Sequence, residues 1–428
     1  MKPIKVGLLG LGTVGTGVVR IVEGHQEDLQ NQAGSSIVIE KVLVQNKTKA
    51  RAISVPQEKL TEDPWDIIRN PEIDVVVEVM GGIGNTKEYI LEALSLGKHV
   101  VTANKDLMAL HGPEILAKAR EHGCDVLYEA SVAGGIPILR TLVEGFSSDR
   151  ITKIMGIVNG TTNYILTKMS QEGASYGDVL KEAQALGYAE ADPTSDVEGL
   201  DAARKMTILA TLGFRTHVSL DTVSTQGIST VTKEDILYAK RLGYELKLLG
   251  IAERQDDSIS ISVQPTMVKS THPIASVNGV FNAVYVYGEA VGETMFYGAG
   301  AGELPTATSI VADLVAVVKN IKLGVGGKKN AVTYNETRQK TDEEISSKYF
   351  LLLHVADRAG VLAQITQVFA AFEVSLQSVL QQPNPNNPEA EIIIITHDAN
   401  KAAVAKVLET FHKLDVVHTV KSVYRVEG

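Results

Sequence analysis

The sequence predicts an α/β protein with three parts: an N-terminal doubly wound parallel sheet, a second α+β domain, and a small C-terminal ferredoxin-like unit. Three observations carry this reading. Short apolar strand-like runs alternate with helical segments over the first third of the chain. From Ile151 the strands and helices lengthen. The last stretch, about 80 residues, follows a β-α-β-β-α-β order.

The first strand comes at once, through Ile4, Val6, Leu8 and Leu9, and Gly10-Leu11-Gly12-Thr13-Val14-Gly15 then opens a helix carrying Val18, Val19 and Val22. Further strand-like runs fall at 37–44, 75–79, 100–102 and 126–128, with helical segments at 86–96 and 112–122. Strands joined through helices pair in parallel. The second domain reads as strand 151–158, helix 162–171, strands 244–254, 258–263 and 283–289, and helix 305–322. Its sheet is expected to be largely antiparallel. Residues 324–348 are Gly-rich and then charged, as a linker would be. The C-terminal elements fall at 350–355, 361–372, 374–381, 391–396, 401–408 and 416–425, with a Pro/Asn loop at 383–388. The expected domains are therefore 1–133, 134–323 (its last helix returning to the first domain), the 324–348 linker and 349–428.

Forty-one basic against 51 acidic residues give a net charge of −10, which excludes a general nucleic-acid binder. A single cysteine, Cys124, excludes an intramolecular disulfide and reads as a buried small hydrophobe. The immediate first strand leaves no room for a signal peptide, and no apolar run approaches the ~18 residues of a membrane span. A soluble cytoplasmic protein is expected.

Gly10, Gly12 and Gly15 match G-x-G-x-x-G between a strand and a helix, the setting in which a dinucleotide pyrophosphate meets free helix N–H groups. After the second strand, Gln45-Asn46-Lys47-Thr48-Lys49-Ala50-Arg51 holds three cations and no acid. That favours a 2′-phosphate, hence NADP over NAD. Thr102-Ala103-Asn104-Lys105 closes a strand on the ligand-binding edge, where Lys105 is either a loop lysine or a group touching cofactor and moving protons. Glu129 to Pro137 closes another strand with carbonyl-rich backbone, which suits either a hard monovalent cation or a plain turn.

The densest segment is Gly187 to Lys205. Ser195 and Glu198 fit a capping box, so a helix is expected from about Asp196 to Leu212, ending before Gly213. Asp201 and Lys205 share a face that continues to Ile208 and Leu212. A surface ion pair is the plain alternative. The apolar continuation instead points this acid and amine inward, as a site would.

Together these motifs, with Gly156 to Tyr164, resemble homoserine dehydrogenase in its monofunctional form with a C-terminal ACT domain; the turn Asp357-Arg358-Ala359-Gly360-Val361-Leu362-Ala363 carries the ACT likeness. The resemblance implies a Rossmann domain, a catalytic and dimerisation domain, and an ACT regulatory domain. It implies NAD(P)-dependent interconversion of L-homoserine and L-aspartate 4-semialdehyde, in threonine, methionine and isoleucine biosynthesis. Lys205 then corresponds to the acid/base lysine and Lys105 to a second lysine beside the nicotinamide. Glu190, Asp201 and Asp196 correspond to the substrate-holding acids. Gly10, Leu11, Gly12, Thr13, Val14, Gly15, Lys105, Gly187 and Gly302 fall where the family contacts cofactor. Glu129, with the carbonyls of Val132, Gly134 and Ile136, matches a sodium site. A homodimer or homotetramer and a threonine effector are implied, with no nucleic acid or membrane partner. Which lysine moves the proton stays open at this level. An acylating semialdehyde dehydrogenase would need a positioned nucleophilic cysteine, which Cys124 does not offer, and a kinase fusion finds no room before residue 4. A non-catalytic NADP-bound amino-acid sensor is the remaining rival.

Overall fold

A computed structural model describes residues 2–328, 334–383 and 389–428. All of the expected 383–388 loop but Pro383 lies outside them. Strands β1 (Ile4–Leu9), β2 (Ile37–Leu43), β3 (Leu60–Thr61), β4 (Val75–Glu78), β5 (His99–Thr102) and β6 (Val126–Leu127) come first. Helices α1 (Thr13–Gly24), α2 (Gln26–Ala33), α3 (Trp65–Ile68), α4 (Gly84–Ser95) and α5 (Lys105–Glu121) lie between them. Next are α6 (Ile138–Arg140), β7 (Ile151–Ile157), α7 (Gly160–Glu172), α8 (Tyr176–Ala185), α9 (Thr194–Val197) and α10 (Leu200–Phe214). Then come β8 (Ser224–Thr225), α11 (Lys233–Arg241), β9 (Tyr244–Gln255), β10 (Ser258–Lys269), β11 (Phe281–Gly288), β12 (Gly292–Ala299) and α12 (Glu303–Leu323). The chain closes with β13 (Arg338–Gln339), β14 (Ser346–Ala356), α13 (Val361–Ala371), β15 (Leu376–Pro383), β16 (Glu389–Thr396), β17 (Ala399–Asn400), α14 (Lys401–Phe411) and β18 (Val417–Glu427).

These elements divide into two compact units. Met1–Ile154, Arg204–Asp221 and Asn282–Glu336 form the first; Met155–Ala203, Thr222–Phe281 and Thr337–Gly428 form the second. In the first, a parallel sheet runs β3-β2-β1-β4-β5-β6. Val6 and Leu8 of β1, Val18, Val19 and Val22 of α1, and Ile310, Leu314 and Val317 of α12 share one core. A late helix thus returns to the first sheet, because its apolar stripe matches that of α1. By length and mean hydropathy α12 could cross a membrane, although no unbroken apolar run in the sequence reaches that length. It reaches that hydropathy with polar residues interspersed: Asp313 and Asn320 are buried too, bonded to Arg140 and Asp125, while its apolar stripe enters this core.

In the second unit the strands run β9-β10-β18-β14-β16-β15. β10 and β18 pair in parallel, Thr266 opposite Arg425 and Val268 opposite Glu427, so the ferredoxin-like part continues the β9–β10 sheet. Its own core joins Leu351, Leu353, Ile392 and Ile394 to Ile365 and Phe369 of α13 and Val407 and Phe411 of α14. The expected linker is pinned where it is described: β13 pairs with Ser258 and Ile259, and the two terminal guanidinium nitrogens of Arg338 donate to Glu344.

The single helix expected from Asp196 is two. Gly199 takes φ +79°, a left-handed conformation that ends α9, and α10 starts afresh at Leu200. No side-chain cap forms at α9; Asp192 instead accepts from the amide and hydroxyl of Thr194. Gly213 does not stop α10 either. A Cβ there would sit 2.6 Å from Ile154 Cδ1, so the glycine marks close packing. Likewise α5 begins at Lys105 rather than 112, with Pro113 inside it. Helices α8 and α11 and strand β12 were not foreseen.

Candidate active site

The glycine loop has the geometry its spacing predicts. Gly10 sits at φ +112°, and a Cβ on Gly15 would lie 2.2 Å from the Gly10 carbonyl, so these two positions admit only glycine. Gly12, the N-cap of α1, faces open space, with no atom within 4 Å of a Cβ built there. The first turn of α1 has no side-chain cap and no acid, so its N–H groups suit an anion. These residues fit a dinucleotide pyrophosphate. After β2, Arg51 turns back onto the carbonyls of Asn46, Lys47 and Lys49, while Lys49 stays exposed. One of the three cations therefore staples the loop.

Lys105 is the first residue of α5, half-buried, and its placement rests on a network that sequence reasoning missed. Glu78, fully buried at the end of β4, accepts from Thr102 Oγ1 at 2.6 Å and from the amides of Met80 and Gly81 at 2.9 Å. Burial pushes its carboxyl above the ordinary range. Thr102 Oγ1 accepts from the Asn104 amide. Asn104 in turn caps α5 through Leu107 N and donates to the Gly82 carbonyl at 2.7 Å. The signal for Glu78 was an acid inside an otherwise apolar strand.

On α10, Asp201 lies one turn before Lys205. Asp201 is 4% exposed and Lys205 half-buried. Asn159 Nδ2 donates to Asp201 Oδ2 at 2.9 Å and to Asp196 Oδ1 at 2.7 Å, while its Oδ1 caps α7 through Thr162 N. The structure thus brings Asp196 and Asp201 onto one amide. Glu190 is exposed, in a segment tied to α7 by Thr161 Oγ1 donating to the Tyr188 carbonyl; Gly187, at φ +76°, is exposed there too. Gly302 heads α12 at φ +127°, again with no side-chain cap.

Glu129 is buried, and its carboxylate accepts from the amides of Leu139 and Arg140 at 2.7 and 2.8 Å. The expectation of a carboxylate beside exposed carbonyls is corrected here: the loop is buried, and the carboxylate is engaged at the start of α6. Val132, Gly134 and Ile136 are buried with it. Ser309 Oγ of α12 donates to the Gly134 carbonyl, and Ile138 N to that of Ile136. A carbonyl oxygen carries two lone pairs, so these hydrogen bonds alone do not exhaust the backbone acceptors here. Cys124 is buried, its thiol pushed up to about 11 by that burial, which makes it inert.

Sequence profiles agree with this division of labour. The profile described as homoserine dehydrogenase, NAD binding domain, matches residues 10–129; homoserine dehydrogenase matches 137–315; the ACT domain matches 349–416. A homoserine dehydrogenase from Bacillus subtilis is 57% identical over 100% of this chain and 99% of its own length. The crystal structure of a homoserine dehydrogenase from Thiobacillus denitrificans superposes with a TM-score of 0.95 at 42% identity, covering 100% and 99% of the two chains. A hyperthermophilic archaeal homoserine dehydrogenase solved in complex with NADPH matches with a TM-score of 0.63 at 25% identity, over 74% of this chain and 98% of its own. Fold and site define an NAD(P)-dependent oxidoreductase carrying a C-terminal ACT domain. Within that class the chain belongs to the homoserine dehydrogenase family.

Proposed function

We propose that this enzyme interconverts L-homoserine and L-aspartate 4-semialdehyde, with Lys205 as the proton-transferring group. The observation that supports this best is α10, which sets Asp201, fixed by Asn159, one turn before Lys205. A carboxylate held in place suits the ammonium of an amino-acid substrate, and Glu190 and Asp196 add charge of the same sign. A neutral Lys205 amine accepts the hydroxyl proton as the C–O bond becomes a carbonyl, and returns it in the reverse direction. Bound nicotinamide supplies the hydride acceptor. Leu11, Thr13 and Val14 of the glycine loop, Gly187 and Gly302 are proposed cofactor contacts, and Lys105 is proposed to stand beside the nicotinamide when it is bound. The strand-end cations favour NADP, the cofactor present with the archaeal relative. A sodium ion at the main-chain carbonyls of Val132, Gly134 and Ile136, with Glu129, would brace this loop against α12. A melting temperature that rises with NaCl but not with choline chloride tests that role.

The remaining proposals follow from the family: domain boundaries at 133, 323 and 348, a cytoplasmic homodimer or homotetramer, a place in threonine, methionine and isoleucine biosynthesis, and threonine as ACT effector. Light scattering settles the assembly. The deciding experiment for the chemistry follows NADP⁺ reduction with homoserine in the wild type, Lys205→Ala and Lys105→Ala. Lys205→Ala should lose roughly 10² to 10⁴-fold in kcat while still binding cofactor. Near-normal turnover in that variant would move the role to another group.

A further inference from the structure

Beside each of the two lysines stands a residue of opposite charge to the other's neighbour. Asp106, second in α5, follows Lys105; Arg204, fifth in α10, precedes Lys205. Arg204 Nε lies 2.6 Å from Asp106 Oδ1, with 25% of the Arg204 side chain and 34% of the Asp106 side chain exposed. Much of α10 is otherwise an apolar rod, with Ala202, Ala203, Met206, Leu209, Ala210 and Phe214 buried. Apolar contacts set depth but leave rotation and sliding loosely defined, whereas a short, half-buried ion pair fixes the spacing of the two segments at one point. Asp106 is itself well anchored. It sits in the first turn of a helix capped by Asn104, where a negative charge is favoured.

We infer that the Arg204–Asp106 ion pair is the positioning element that holds the Lys205 segment of α10 against the Lys105 end of α5, so that both lysine side chains address one site. Because the paired residues adjoin the lysines in sequence, a shift of one side chain is transmitted directly to a lysine Cα. Reactions of this kind lose rate steeply when reacting groups move by about 1 Å. Arg204 and Asp106 are positioning residues here; the chemistry remains with the lysines. The inference rests on the lysine roles proposed above.

The test is a double-mutant cycle of Asp106→Asn and Arg204→Met in the full-length enzyme, with Arg204→Lys as the conservative variant. Readouts are kcat and KM for homoserine, the NADPH dissociation constant by nucleotide fluorescence, and the melting temperature. Each single variant should lose about tenfold or more in kcat, and the double variant should lose no more than either, because both break one interaction. NADPH affinity should stay within about twofold, and Arg204→Lys should recover part of the loss, since an ammonium can still pair as a point charge. The inference is overturned if kcat stays near wild type in Asp106→Asn, if the two losses multiply, or if turnover and NADPH binding fall together. Lys105→Ala and Lys205→Ala run alongside keep the two ideas apart. If those lose activity and the pair variants do not, only the positioning role fails; if the lysine variants stay active, the lysine reading fails first.

Discussion

Asn159 and Asp201 are 42 residues apart, yet the Asn159 amide donates to the Asp201 carboxylate at 2.9 Å while its oxygen caps α7. One side chain thus ends a strand-to-helix turn and aims the acid proposed to hold the substrate's ammonium. Asn159→Asp keeps the capping oxygen, loses the donor, and sets a third carboxylate against Asp196 and Asp201. KM for homoserine should rise and kcat/KM fall by about 10 to 100-fold, roughly the worth of one or two charge-assisted hydrogen bonds, with NADPH affinity unchanged. Steady-state kinetics beside a nucleotide titration measure both; unchanged KM would remove Asn159 from substrate binding.

The cations after β2 no longer act as one group. Arg51 holds the carbonyls of Asn46, Lys47 and Lys49, so Arg51→Ala should loosen the loop and impair NADP and NAD alike. Lys47→Ala with Lys49→Ala should raise KM for NADP several-fold and spare NAD, because only a 2′-phosphate gives those ammonium groups a charged partner. Equal losses with both cofactors in the double lysine variant would show that these residues do not discriminate.

What the sequence disclosed and what it hid divide along range. The glycine loop was legible because its demands are local: a positive φ at Gly10 and a close approach at Gly15. The Asp201–Lys205 face was legible because helical spacing is local too. A local pattern also misled: Ser195 with Glu198 fits a capping box, but Gly199 ends α9 one residue later. Asn159 with Asp201, Glu78 with Thr102, and Arg204 with Asp106 are tertiary pairs whose members carry no sequence mark of one another. The β10–β18 pairing was hidden for the same reason. A βαββαβ pattern gives the internal order of its strands, not which outer strand joins another sheet.

Asp313 gives a pH signature. Burial raises its carboxyl from an ordinary 3.8 to about 7, despite the Glu129 amide and Arg140 Nη2 at 2.6 Å. Between those values the unfolded chain has released this proton and the folded chain keeps it, so this group's contribution to stability falls as pH rises through that window. Glu129, also raised by burial, acts in the same sense. Asp313→Asn removes the titration while keeping a similar shape. Between about pH 5 and pH 8, the wild-type melting temperature should therefore change more steeply in the destabilising direction than that of the variant. Parallel curves would mean that Arg140 keeps Asp313 ionised throughout.

The ACT domain is fastened to α11 through a buried acid. Asp235, 0% exposed, accepts from Ser422 Oγ and, at 2.9 Å, from Tyr424 Oη of β18, while closing a capping box with Thr232 at the start of α11. Cutting the chain near Lys348 would therefore do more than remove a module. It would unpair Thr266 to Val268 of β10 and strip Asp235 of two donors, each worth about 1 to 3 kcal/mol when lost from a buried acceptor. Insoluble or unstable protein is the expected product of truncation, which would say nothing about control. Ser422→Ala with Tyr424→Phe is the sharper instrument, since it keeps the strand and loosens the fastening. An effector acts only through differential affinity for two states, and a state change in the ACT domain must pass through contacts of this kind. If threonine is the effector, its inhibition constant should rise several-fold in the double variant while uninhibited kcat stays within about twofold. Gly360, at φ +89° with open space where a side chain would go, marks the turn at which a ligand would bind. Asp357→Ala in that exposed turn should then weaken threonine binding itself, measured by calorimetry. Ser422→Ala with Tyr424→Phe should leave binding intact and blunt only its effect on turnover. Inhibition unchanged in both variants would move the effector site out of the ACT domain.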